Sequence, residues 1–194
     1  MTLKYEITGI QHPNYPNLFR IQALRDIPSI GVKADDLGGY VEHERNLSQN
    51  GNCWIGGDAC VYENASVCGV SRVCGYAWVF GEACIYDNAH IYGAAWIGAS
   101  AAVFGKAQVY GNAKVYGTSR IYDHASISGS STIHNALEIN AYMKISDCAY
   151  ITSQTQIYYA DEVTAYFNKN KELIVKGHSP DIEYHTMLAR LKLL

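Results

Sequence analysis

From Ile55 onward a β-branched aliphatic residue returns at every sixth position. Val61, Val67, Val73, Val79, Ile85, Ile91, Ile97, Val103 and Val109 lead on to Val115, Ile121, Ile127, Ile133, Ile139, Ile145, Ile151, Ile157 and Val163. All nineteen positions are Ile or Val, without an insertion. Two residues before each aliphatic, from Cys53 to Ser131, stands Ala, Ser or Cys; the slot then loosens to Leu137, Met143, Ala149, Thr155 and Asp161. Two residues after it comes a turn former, as at Gly57, Gly69, Gly75, Gly81, Gly93, Gly105, Gly111 and Gly117, or at Asp87, Asp123, Asn135 and Asp147. Four residues therefore alternate inward and outward like a short strand, and two supply a bend that tolerates positive φ. A period of six is no multiple of 3.6, and β-branched residues with glycine disfavour helix. The pattern predicts an all-β solenoid, a parallel β-helix with three sides per coil. At six residues per side it has about six triangular coils and stands roughly 30 Å tall.

Both ends of such a prism need caps. Residues 1–40 read as an N-terminal β cap, in which "LKYEI" and "FRIQAL" alternate like strands around the turn "QHPNYPN". The β-helix takes 41–165, its first coil made irregular by two extra residues between Leu47 and Ile55. In 166–194, "ELIVKG" reads as a strand and "SPDIEYHTMLARLKLL" as an α-helix, with Ser179 as N-cap and Pro180 in the first turn. Tyr184, Met187, Leu188, Leu191 and Leu194 form its apolar stripe, which suits packing on the last coil or on a neighbouring subunit.

The aliphatic, turn and small-residue hexads from Cys53 to Ala165 resemble the hexapeptide-repeat left-handed β-helix family. The left hand is implied by that resemblance alone, since ordinary parallel crossovers are right-handed. The chain departs from the family by placing Tyr or Phe directly after the aliphatic residue, with glycine one place later. Its tyrosine-rich hexads, with "DDLGGYVE", "NLS" and "CWIG", are most similar to a poorly characterised group of hexapeptide proteins from bacteria and their phages or prophages. Members of that group are often labelled transferases from the fold alone, which is not evidence of chemistry.

Residues a full coil apart share a side, so outward positions can be sorted. The side of Ile55 and Val73 is mixed and polar, with Arg72, His90, Tyr92, Gln108 and Tyr110. The side of Val67 and Ile85 shows Cys84, Tyr86, Phe104, Arg120 and Tyr122. The side of Val61 and Val79 shows Tyr62, Trp78, Phe80, Trp96, Tyr116, His134 and Tyr150. A contiguous aromatic surface of this kind suits burial in an oligomer or a binding surface; stacking between coils is the plainer alternative. The expected interface residues are Tyr62, Trp78, Phe80, Trp96, Tyr116 and Tyr150, with a second copy on the Tyr116 side. The resemblance implies a homotrimer.

Composition narrows the chemistry. Of 194 residues, 17% are charged and the net charge is −3, so nothing draws the whole molecule to nucleic acid or an anionic membrane. No signal peptide or spanning run is visible, and the six cysteines form no C-x-x-C pair, which points to a cytoplasmic protein with reduced thiols. The resemblance brings in acyltransferases that use a general-base histidine and acyl-CoA. His134, beside the aromatic side, is the leading candidate, ahead of His90 and His124, although no inserted loop or CoA segment accompanies them. Histidine spacing does not fit zinc, and no metal or cofactor is expected for a binding protein.

Three functions are carried forward. The first is a non-catalytic oligomeric binding scaffold, of the phage origin that the resemblance implies, that binds a host protein or sequesters a small signalling molecule in a counter-defence role. An acyl-CoA-dependent acyltransferase and a structural spacer are the alternatives.

Overall fold

The computed structural model describes residues 3–134 in full, together with 138–140 and 144–146. Beyond these it describes the backbone of strands Tyr150–Ile151, Gln156–Ile157, Val163–Phe167 and Leu173–Gly177. The helix expected after Ser179 and the side chain of Tyr150 lie outside the described residues.

Each hexad from Ile55 to Ile157 forms a two-residue strand ending on its aliphatic residue, such as Trp78–Val79 or Trp96–Ile97. Strands from successive coils pair in parallel, with Trp96 opposite Trp78 and Ile97 opposite Val79. Three sheets result, one per side, and the chain is a parallel β-solenoid of about six coils. Every Ile or Val of the hexads from Ile55 to Ile145 is fully buried, as are the small residues between them. A narrow core of this shape accepts one branched and one small side chain per hexad.

The corners use the left-handed backbone region two residues after the aliphatic. Gly81 lies there at φ +70°, and a Cβ on it would stand 2.7 Å from the carbonyl oxygen of Ala99 in the next coil. Glu63, Asp87, Ala99 and Asp123 adopt the same conformation without being glycine. Two of them use their carboxylates across the coil step: Glu63 Oε2 accepts the Gly81 amide at 2.7 Å, and Asp87 Oδ2 the Gly105 amide at 3.2 Å.

The N-terminal segment is built onto one of the three sheets. Strands β1 (Tyr5–His12) and β2 (Tyr15–Ala23) form an antiparallel hairpin, and β2 pairs antiparallel with β3 (Leu37–Val41). The turn is tighter than "QHPNYPN" suggests, because strand pairing extends to His12 and Tyr15. Strand β3 joins the solenoid in parallel, with Val41 opposite Val61, and a bridge sets Leu47 opposite Val67. Both pairs are twenty residues apart rather than eighteen, so the two extra residues between Leu47 and Ile55 are absorbed in the first coil. Tyr5 and Lys4 close the open end: the Tyr5 hydroxyl donates to Leu47 O at 2.6 Å, and Lys4 Nζ to Cys53 O at 2.9 Å.

At the other end the register departs from the hexad count. Ile145 pairs with Ala165, not with Val163, so the last of the nineteen positions does not continue the ladder. The strand Val163–Phe167 then turns back on Leu173–Gly177 in antiparallel pairing. A hairpin that terminates a sheet answers to its own antiparallel register, which the six-residue count does not set.

Candidate functional site

On two sides of the prism the aromatic rank after the aliphatic residue forms plain stacks. Tyr86, Phe104 and Tyr122 lie nearly parallel, with centroids 4.7 and 4.9 Å apart, and the Arg120 guanidinium sits 5.3 Å from the Phe104 centroid. Tyr92 and Tyr110 stack at 4.8 Å. There the repeated tyrosine acts as a cross-strand ladder.

The third side is different because aromatic residues occupy both outward ranks. Trp78 and Trp96 stack at 5.8 Å, and Tyr62 stacks on Phe80 at 5.5 Å. Across the ranks the rings meet edge to face, Tyr62 with Trp78 at 87° and Phe80 with Trp96 at 89°. The rank is interrupted at Gly98, where a Cβ would stand 2.6 Å from Phe80 Cζ and 3.1 Å from Tyr116 Cδ1. Phe80 and Tyr116 close over that gap at 6.2 Å, and His134 follows, 6.2 Å from Tyr116.

Much of this surface is covered by the chain itself. The hairpin tip folds over its first coils, placing Tyr15 4.9 Å and His12 6.2 Å from Trp78, with His12 4.6 Å from Tyr40. Tyr62 and Trp78 are half-buried beside the tip and Phe80 and Tyr116 half-buried among neighbouring rings of the sheet, while Trp96 stays 39% exposed. Nothing in the local sequence of the turn announces this contact. It follows from β2 and β3 continuing the aromatic sheet.

Arg20 fastens the hairpin there. Its guanidinium donates to Gly38 O at 2.7 Å, Gly57 O at 2.8 Å and Asp58 Oδ1 at 2.5 Å, and lies 4.3 Å from the Tyr40 centroid. Between tip and prism remains a cleft of about 270 Å³, lined by Tyr15, Leu18, Tyr62 and Trp78 on its apolar walls and by Glu42 and Glu63. Buried Asn46 sets the spacing of the two acids. Its Oδ1 accepts the Glu42 and His43 amides, and its Nδ2 donates to the Glu63 and Ala65 carbonyls. Burial, and then Glu63, push the Tyr62 hydroxyl up to about 12, so it remains a neutral phenol.

The three candidate histidines are not brought together. His90 precedes Ile91 on the polar side, His124 is exposed at a corner after Ile121, and His134 is exposed beyond Ile133 on the aromatic side. Of these, His90 has the most enclosed setting. Paired between Arg72 and Gln108, it lines a cleft of about 380 Å³ with Arg72, Ser29, Val70 and Asn88. Its Nε2 is 3.5 Å from Cys74 Sγ. Burial, and then Arg72, lower its pKa, keeping the ring neutral at neutral pH. Among the described residues no group of three His, Cys, Asp or Glu is placed to hold a metal ion, and no helix is long and apolar enough to cross a membrane.

No protein-family model matches the chain, and none of the curated proteins does.

Proposed function

We propose that this chain is a non-catalytic, oligomeric binding scaffold of the hexapeptide-repeat left-handed β-helix family. In this reading it is a cytoplasmic homotrimer, encoded by a phage or prophage, that captures a host protein or a small signalling molecule and requires no cofactor. The observation carrying it is Trp96: an indole 39% exposed and stacked on Trp78, which itself lines the aromatic cleft. Tryptophan is among the side chains most enriched at the energetic centres of interfaces.

Native mass spectrometry of the protein purified from its host tests this directly. The scaffold reading expects a trimer carrying a bound small molecule or partner, and a Trp96→Gln variant that keeps its β-sheet circular dichroism but loses assembly or cargo. A wild-type monomer without cargo overturns it.

One observation favours acyl transfer as a second reading. His90 is a neutral imidazole in a cleft whose Arg72 cation suits the phosphates of acyl-CoA. Acyl-CoA added to the same sample distinguishes the two, because only the enzyme reading expects turnover that His90→Ala abolishes.

A further inference from the structure

The cleft under the hairpin tip has walls of one chemistry and edges of another. We propose that it is a binding site for an organic cation, a quaternary or methylated ammonium group seated against Tyr15, Tyr62 and Trp78 and countered by Glu42 and Glu63. This inference rests on the scaffold reading and names the class of small molecule the scaffold would hold.

The rings stand at steep angles to one another, Tyr15 to Trp78 at 69° and Tyr62 to Trp78 at 87°, so they present differently oriented faces and edges around the cleft. The face of an aromatic ring is its electronegative part, and a cation shorn of water gains most from several such faces at once. No lining residue is basic, whereas two are carboxylates. Each carboxylate is held by a backbone amide that fixes its position without cancelling its charge. Glu42 Oε2 accepts from the Glu63 amide at 2.7 Å, and Glu63 Oε2 from the Gly81 amide at 2.7 Å. His43 approaches Glu42 from outside the cleft lining, at 4.0 Å. The same arrangement disfavours other ligands. An anion would meet both acids, and a neutral apolar molecule would gain the ring contact alone. A volume of about 270 Å³ accommodates a trimethylammonium head with room for its substituent.

Titration calorimetry on the full-length protein, with choline and tetramethylammonium as probes, tests the site. The uncharged choline isostere 3,3-dimethylbutan-1-ol isolates the contribution of charge. The cage predicts that choline binds at least about tenfold more tightly than the isostere. Tyr15→Ala, at the exposed tip, should weaken choline by about tenfold. Glu42→Gln, which keeps an acceptor for the Glu63 amide, should weaken it by about fivefold. Thermal melts matching wild type show that neither loss reflects unfolding, and if Tyr15→Ala loosens the hairpin, Glu42→Gln alone decides. Equal binding of choline and isostere, wild-type affinity in Glu42→Gln, or no heat from either ammonium up to about 10 mM overturns the proposal. Failure here with trimer assembly dependent on Trp96 intact removes the cage and leaves the scaffold. Choline binding to a Trp96-independent monomer removes the trimer and leaves the cleft.

Discussion

Single residues show how the repeat tolerates exceptions. Where serine replaces alanine in the small inward slot, its hydroxyl donates to the carbonyl three residues earlier: Ser71 to Cys68 at 2.6 Å, Ser119 to Tyr116 at 2.8 Å, Ser131 to Ser128 at 2.7 Å. The buried oxygen is thereby satisfied, which is why serine and alanine interchange there. The corner position was readable where glycine or aspartate occupies it, but Glu63 and Ala99 adopt the same φ and carry no such signal. Cys60 allows a sharper statement. Fully buried beneath Leu18 and Tyr40, its thiol is pushed up to about 12 by burial and then by Asp58. Unfolded thiols ionise near about 8.5, so above that pH the unfolded state holds fewer protons and stability falls by about 1.4 kcal/mol per pH unit from this group. The contribution is complete below about 8.5 and is lost as pH rises toward the folded value. Urea titrations at about pH 8 and 10 should show wild type losing stability relative to Cys60→Ala by about 2 kcal/mol. A constant gap between the two would mean that the thiol is not held neutral.

Among the elements, the N-terminal hairpin was legible as two alternating strands, but its destination was not. "FRIQAL" shows apolar residues on one face, and Ile21 and Ala23 are indeed buried in the core. Arg20, one residue away, points to the other face and carries the docking contacts. Nothing in its neighbours marks it, because its three acceptors come from residues 38, 57 and 58. Its side chain is 21% exposed and that of Asp58 47%, so the bonds to Gly38 and Asp58 are part-buried while the one to Gly57 faces solvent. Arg20→Met should cost about 2 kcal/mol, the scale of hydrogen bonds to a charged group. It should also speed proteolysis within β1 and β2 ahead of the solenoid. Global unfolding without early hairpin cleavage would show that the hairpin is not a separately releasable unit.

At the scale of the molecule, stability is a sum over similar coils, each touching only its neighbours. The register between coils is eighteen residues, as in Val103 opposite Ile85 and Ile121. Deleting residues 100–117 removes one turn and joins equivalent corner positions. That variant should fold with β-type circular dichroism and a cooperative melt, one coil shorter. Deleting residues 100–102 instead shifts Val103 half a hexad into the corner and the corner into the core. It should not fold, since a register error of this kind turns buried positions outward. Equal behaviour of the two would remove the hexad as the unit of the fold. The sequence by itself determined the solenoid, because burial of one aliphatic and one small residue every six positions admits few other backbones. Only the tertiary structure decided where β2 and β3 attach, that Ala165 rather than Val163 ends the ladder, and that Tyr15 lies over Trp78. Periodic burial is a local rule that each hexad states for itself. Docking of the ends depends on contacts between residues far apart in the chain, and no short stretch contains them.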